Sequence, residues 1–197
     1  MKFTTTMKKL KLQIQVSVDG YISPLNNQDW LVWGWGKEWT WDDALKEYFN
    51  DLTASISCIL LSRKMAQEGF IDHWTSIAKE TENPQWAFAK IIAEADKIIF
   101  SRTLETSIWP NSILAKGDFV EQVMTLKRTS SKDIIVYGGS SLVSSLIRAG
   151  LIDEYYLFVN PVALGSGLTI FNARTNLKLM EARAFSCGVT VLKYVQG

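Results

Sequence analysis

Histidine and cysteine are nearly missing from this chain. Its 197 residues hold one histidine, His73, and two cysteines, Cys58 and Cys187. One imidazole and two thiols far apart in sequence build no His- or Cys-rich metal site, and their spacing offers no disulfide framework. No metal is therefore expected. His73 reads as a packing or partly exposed surface residue, Cys58 as a small buried residue, and so few thiols imply a reducing, cytoplasmic setting. An excess of one charge is missing as well. The 21 basic and 20 acidic side chains leave a net charge of +1, which excludes the basic footprint of a nucleic-acid partner and attraction to an acidic membrane surface. No apolar run reaches the roughly 20 residues that span a bilayer. Lysines crowd the start, but Leu10–Val18 alternates apolar with polar where a signal peptide would be continuously apolar, so it reads as a first strand. With no repeat, low-complexity tract or Pro/Ser-rich linker, one domain over residues 1–197 is expected.

Tryptophan, by contrast, is abundant. Five of the eight, Trp30, Trp33, Trp35, Trp39 and Trp41, share one short segment with Gly34 and Gly36. Elsewhere, apolar runs alternate with helical patterns, as in βαβ units. Strands are expected at Leu10–Val18, Ser57–Ser62, Lys97–Ser101, near Ile113, at Ile134–Tyr137 and at Asp153–Val159. Helices are expected at Asp42–Leu52, Lys64–Gly69, after Asn83-Pro84, at Asp118–Lys127 and from Ser140 to Ala149. Two final strands, Leu177–Phe185 and Val189–Val195, flank a Ser-Cys-Gly turn and form a hairpin. The expected fold is an α/β/α sandwich whose mostly parallel sheet ends in an antiparallel hairpin.

The segment Ile134–Val143 is the most informative. A buried strand runs through Gly138 and Gly139 directly into a helix, where Ser140 and Ser141 can cap it. Glycines there permit either a tight turn or a close approach of ligand to backbone, and a helix N-terminus favours an anion. A phosphate-bearing ligand is the functional expectation.

Five segments, in order, resemble the dihydrofolate reductase-like superfamily, and within it the reductase domain of bacterial riboflavin biosynthesis. They are Val16–Ile22, Ile59–Met65, Lys97–Leu104, Gly138–Val143 and Asn160–Gly167. The resemblance implies NADPH at the carboxyl ends of the strands, where open α/β sheets place ligands. It implies Gly138, Gly139, Ser140, Ser141 and Leu142 around the pyrophosphate, with Arg63 and Lys64 facing cofactor phosphate. Ser101, Arg102 and Thr103 would hold the adenosine end, Arg102 pairing with a 2′-phosphate. The chain departs from the family at Ser62, where glycine is usual, and at Met65, where a hydroxyl residue is usual. Met65 cannot donate a hydrogen bond to phosphate.

Reduction also needs a proton. Asp19 and Glu47 are the candidate catalytic carboxylates, and Asp43 shares a helix face with Glu47. Asp19 is equally placed to line the substrate pocket or to make a simple Asp-Gly turn. Trp30 and Trp33 are candidate substrate-binding residues. Their indoles would stack on a planar heterocycle, or the tryptophan segment would fill a homodimer interface. The resemblance implies an NADPH-dependent reductase of a small heterocycle such as a ribosylaminopyrimidine. The alternatives are a dihydrofolate reductase proper and a nucleotide-binding protein without chemistry.

Overall fold

Short apolar runs ending in polar turns give the chain eight strands, and amphipathic segments between them give six helices among the described residues. The computed structural model describes residues 7–25 and 40–197. In chain order the elements are β1 (Leu10–Ser17), α1 (Asp43–Ala54), β2 (Ile56–Ser62), α2 (Arg63–Gln67), α3 (Phe70–Ile77) and α4 (Trp86–Glu94). There follow β3 (Asp96–Phe100), β4 (Ser112–Ala115), α5 (Phe119–Thr129), β5 (Asp133–Val136), α6 (Ser140–Arg148), β6 (Glu154–Asn160), β7 (Leu177–Ala184) and β8 (Thr190–Gln196).

The strands form one sheet in the order β4-β3-β2-β5-β1-β6-β8-β7. The first six of these run parallel, while β8 is antiparallel to both β6 and β7. Successive side chains alternate across a strand, so each strand feeds two cores. Ile59, Leu61, Ile99, Ile135 and Phe158 pack with α1, α3 and α4. Leu10, Leu12, Ile14, Val16, Leu60, Ile134 and Val136 pack with α6 and with Val123 of α5. This is the sandwich expected from the sequence, with its parallel sheet and C-terminal hairpin.

Local chemistry explains the element ends. The Asp42 carboxylate caps α1 by accepting from the Leu45 N–H at 2.8 Å, and it also accepts from the Ser186 hydroxyl and the Cys187 N–H. The Ser186 bond above all holds this carboxyl down at about 2. The cap thereby ties α1 to the β7–β8 turn. Asp118 caps α5 in the same way through the Glu121 N–H.

Three expectations are corrected. α3 has no counterpart in the sequence reading; Gly69, at φ +92°, ends the turn after α2 and opens a second helix that buries Phe70, Ile71, Trp74 and Ile77. α4 starts at Trp86 rather than at Pro84, because Asn83 and Pro84 form a preceding turn in which the Asn83 Oδ1 accepts from Gln85 N–H. Trp41 is neither a stacking platform nor an interface residue. It is buried against Phe158 at 5.6 Å and edge-on to Phe49 at 5.2 Å. Trp30, Trp33, Trp35 and Trp39 lie outside the described residues. His73 sits half-buried, edge-on to Trp74 at 4.7 Å, and both cysteines are free, with Cys58 buried.

β1 is the feature that bears most on the site. Alternating apolar and polar residues normally mark a strand with one wet face. Yet β1 lies in the middle of the sheet and all eight of its residues are buried. Its polar face, Lys11, Gln13, Gln15 and Ser17, is enclosed with its apolar one. Lys11 is paired with Asp133 at 2.9 Å and donates to the Ser55 hydroxyl at 2.8 Å.

Candidate functional site

The six parallel strands end on the same side of the sheet, and the segments at the ends of β2, β3, β4 and β5 build a cleft. Ser62, Arg63 and Lys64 come from the end of β2 and the start of α2. Phe100 ends β3, and Ser101, Arg102 and Thr103 follow it; Ala115 ends β4, with Gly117 beyond it; Ser141, Leu142 and Ser145 come from α6. The enclosed volume is about 820 Å³. Three basic side chains and several hydroxyls face it, and no carboxylate lines it among the described residues.

The cleft's floor is set by glycine. Gly139 has φ +81°, and a β-carbon there would lie 2.7 Å from the Ser62 hydroxyl oxygen and 2.9 Å from the Ser62 β-carbon. Both the backbone conformation and the close approach demand glycine. Gly139, not a serine, occupies the cap position of α6, and no side chain caps that helix. This corrects the expected role of Ser140 and Ser141: Ser140 is the first residue of α6, and the Ser141 carbonyl accepts from the Ser145 hydroxyl. The first N–H groups of α6 therefore have no side-chain acceptor, and uncapped helix N–H groups favour an anion.

Each remaining group is placed by its own loop. The Ser62 hydroxyl caps α2 by accepting from the Met65 N–H at 3.2 Å. The Ser101 hydroxyl accepts from the N–H groups of Thr103 and Leu104 at 3.1 and 2.9 Å, and its own hydrogen remains to donate. Arg102 and Thr103 are exposed at the rim, and Arg63 reaches Gln67 at 3.2 Å. Cationic guanidinium and ammonium groups, hydroxyl donors and an uncapped helix start form a donor set that suits a phosphate-bearing ligand.

A second, smaller cavity of about 320 Å³ is lined by Gly138 and Gly139, and Gly139 packs against Ser62 of the large cleft. It is lined by Gln13, Ile14 and Gln15 of β1, by Ile22 and Ser23, by Met65, Glu68 and Phe70, and by Tyr137. Met65 belongs to this apolar wall, with its sulfur 3.6 Å from where a β-carbon on Gly138 would sit. Its lack of a phosphate donor thus falls outside the cationic cleft. Glu68 is the one acidic residue lining either cavity among the described residues.

Of the sequence-derived cofactor residues, Arg63, Lys64, Ser101, Arg102, Thr103, Ser141 and Leu142 converge on the large cleft. Gly138 and Gly139 line the small cavity instead, and Ser140 lines neither. Asp19 and Glu47 are not brought to either wall. Asp19 accepts from the Ser17 hydroxyl at 2.5 Å and from the N–H groups of Leu164 and Gly165 at 3.0 and 2.7 Å. The Ser17 bond above all, opposed by burial and helped by those two amides, holds its carboxyl below the usual range. Its observed contacts clamp the loop after β6. Glu47 is exposed on α1, as is Asp43, which pairs with Lys46 at 3.1 Å. Sequence reasoning missed Gln13, Gln15 and Glu68. No local pattern marks them, because their position follows from where β1 and α2 sit in the sheet.

Among the described residues no cluster of His, Cys, Asp or Glu could hold a metal ion, and no helix is long and apolar enough to cross a membrane. The chain is 32% identical over 193 residues to the uncharacterized protein YyaP of Bacillus subtilis (strain 168), covering 95% of this chain and 94% of that one. It superposes with a TM-score of 0.65 on a diaminohydroxyphosphoribosylaminopyrimidine deaminase/5-amino-6-(5-phosphoribosylamino)uracil reductase from Thermotoga maritima. That match covers 98% of this chain but 58% of that one, at 16% identity, and shows the shared fold. A pyrimidine reductase-like protein from Corynebacterium diphtheriae superposes with a TM-score of 0.60 at 13% identity, covering 100% of this chain and 95% of that one. The model of the RibD C-terminal domain matches residues 8–191. With that match spanning nearly the whole sequence and the fold agreeing, the chain belongs to the RibD C-terminal domain family of reductase-like proteins.

Proposed function

We propose that this protein is an NADPH-dependent reductase of a small planar heterocycle, of the ribosylaminopyrimidine kind. The observation that carries the reading is the cationic cleft at the strand ends, with Arg63, Lys64 and Arg102 around the uncapped start of α6 and no acid on its wall among the described residues. NADPH, when bound, supplies the hydride. Arg63, Lys64 and the N–H groups of Ser140, Ser141 and Leu142 would hold its pyrophosphate, with Gly138 and Gly139 allowing the backbone to approach. Ser101, Arg102 and Thr103 would hold the adenosine end, and the fork of Arg102 suits a 2′-phosphate.

The small cavity is then the place where a ring is oriented and water excluded. Met65, Phe70, Ile14 and Ile22 supply its apolar surface. Glu68, which lines this cavity and pairs with Lys64 at 3.5 Å, is the carboxylate we assign to relay a proton from water to the reduced atom. Asp19, engaged by three donors, keeps the neighbouring loop in place. That engagement also favours the second reading, a nucleotide-binding protein without turnover. Exposed Leu179 and Met180 on the outer strand β7 support a homodimer, to be checked by light scattering. A cytoplasmic setting fits the two free thiols.

The test is NADPH oxidation at 340 nm with 5-amino-6-ribosylaminouracil phosphate and with dihydrofolate as acceptors. Turnover with the pyrimidine supports the proposal. Turnover with dihydrofolate alone contradicts the substrate class, and NADPH binding without turnover favours the second reading.

A further inference from the structure

Two buried carboxamides on the central strand each have an NH2 group without a partner among the described residues. Gln13 is 1% and Gln15 8% exposed, both line the small cavity, and the Nε2 of each has no partner among the described residues. Buried amide groups in folded proteins are almost always satisfied, so an unsatisfied pair at a cavity wall calls for an explanation.

The orientation of Gln15 is fixed by its neighbour. The Asn160 Nδ2 lies 3.2 Å from the Val16 carbonyl and 3.0 Å from the Phe158 carbonyl. Carbonyl oxygens only accept, so the atom facing them must be the Asn160 nitrogen rather than its oxygen. That same nitrogen lies 2.9 Å from the Gln15 Oε1. The Gln15 oxygen is therefore its engaged end, and the unsatisfied end is an NH2 donor. Asn160 is itself fully buried, pairs across the strands at Ser17, and holds this arrangement rigidly.

We infer that Gln15 is a positioning residue whose amide NH2 donates to the carboxamide oxygen of the nicotinamide ring, with Gln13 as a second donor on the same wall. The inference rests on the cofactor reading above. Gly138 and Gly139 line the small cavity, and the Gly139 backbone packs directly on Ser62 of the cationic cleft. A dinucleotide whose phosphates occupy that cleft would pass these glycines to place its ring in the small cavity. A planar ring bearing a carboxamide oxygen is the part of such a molecule that supplies an acceptor to the unsatisfied amide donors on this wall. Fixing the carboxamide fixes which face of the ring is presented to the acceptor.

The experiment compares NADPH with 2′-phospho-ADP-ribose, which keeps the phosphates but lacks nicotinamide, by calorimetric titration of the whole protein. Gln15→Met removes the donor at nearly constant volume, and Gln15→Glu keeps an oxygen for Asn160 while replacing the donor by an acceptor. Both variants are expected to lose about tenfold in NADPH affinity, a change of about 1.4 kcal/mol, with 2′-phospho-ADP-ribose within about twofold of wild type. Equal losses for the two ligands would mean a structural role and overturn the inference, as would unchanged NADPH affinity in both variants. Should one variant not fold, the other decides. Failure of the unsubstituted protein to bind NADPH at all would overturn the cofactor reading, and this inference with it.

Discussion

Ser62 and Gly139 meet across the floor of the cleft: the serine hydroxyl occupies the space that a β-carbon on Gly139 would need, 2.7 Å away. The same hydroxyl caps α2, so it cannot withdraw without freeing the Met65 N–H. Gly139→Ala should cost about 1–3 kcal/mol through strain at positive φ and overpacking, and should weaken NADPH binding. Ser62→Gly in the same chain relieves the contact but not the backbone strain, so it should restore only part of the loss. Urea denaturation and NADPH titration of the single and double variants check this; full restoration by Ser62→Gly would show that the contact alone matters.

Arg102 stands exposed beyond β3 and lines the cleft. Arg102→Ala should weaken NADPH by about 10- to 100-fold, the worth of a charge-assisted contact, and NADH by no more than about twofold. Parallel titrations of the two dinucleotides measure this, and equal losses would remove Arg102 from the 2′-phosphate.

Asp19 links two loops more than 140 residues apart in sequence through the N–H groups of Leu164 and Gly165. Asp19→Ala should lower the thermal midpoint and speed proteolysis between residues 160 and 168. Because its folded carboxyl is held below the usual range, its stabilising contribution is complete above the unfolded value and lost as pH falls through the folded one. The acid limb of the wild-type unfolding profile should therefore shallow in the variant. An activity loss with unchanged stability would instead return Asp19 to the chemistry.

How much of this could be read from the chain alone differs by element. The strands at Ile59–Leu61 and Ile134–Val136 announce themselves as unbroken apolar runs, since both faces are covered. The loops carrying Arg63 and Arg102 were legible because each follows such a strand directly. α3 is not legible because Gly69, a usual helix stop, here opens a new helix at φ +92°, and the helix it opens is only eight residues long. The buried face of β1 was hidden for a deeper reason. Whether Gln13 and Gln15 meet water or a cavity depends on β5 and β6 pairing on either side of β1, and those partners lie more than a hundred residues away. The same distance separates Asp19 from the amides it binds.

Lys97 gives a prediction in alkaline solution. It is buried at 1% exposure, and its Nζ donates to the Ala93 and Ala95 carbonyls at 3.0 and 2.7 Å. Burial lowers its ammonium to about 8, against the opposing pull of Asp96 and Cys58. Between about 8 and the unfolded value of 10.5 the unfolded chain binds a proton that the folded chain does not. Stability from this group should therefore rise with pH across that window. Lys97→Met should abolish the rise, as read by urea unfolding from pH 7 to 10.5; a rise that persists in the variant would assign it to another group.

The most direct test of the account is equilibrium binding of NADPH and NADH to the purified protein, followed through the fluorescence of its eight tryptophans. The cationic cleft predicts saturable NADPH binding at least about tenfold tighter than NADH. Equal affinity for the two would contradict the assignment of Arg102, and binding of neither would contradict the reductase reading itself.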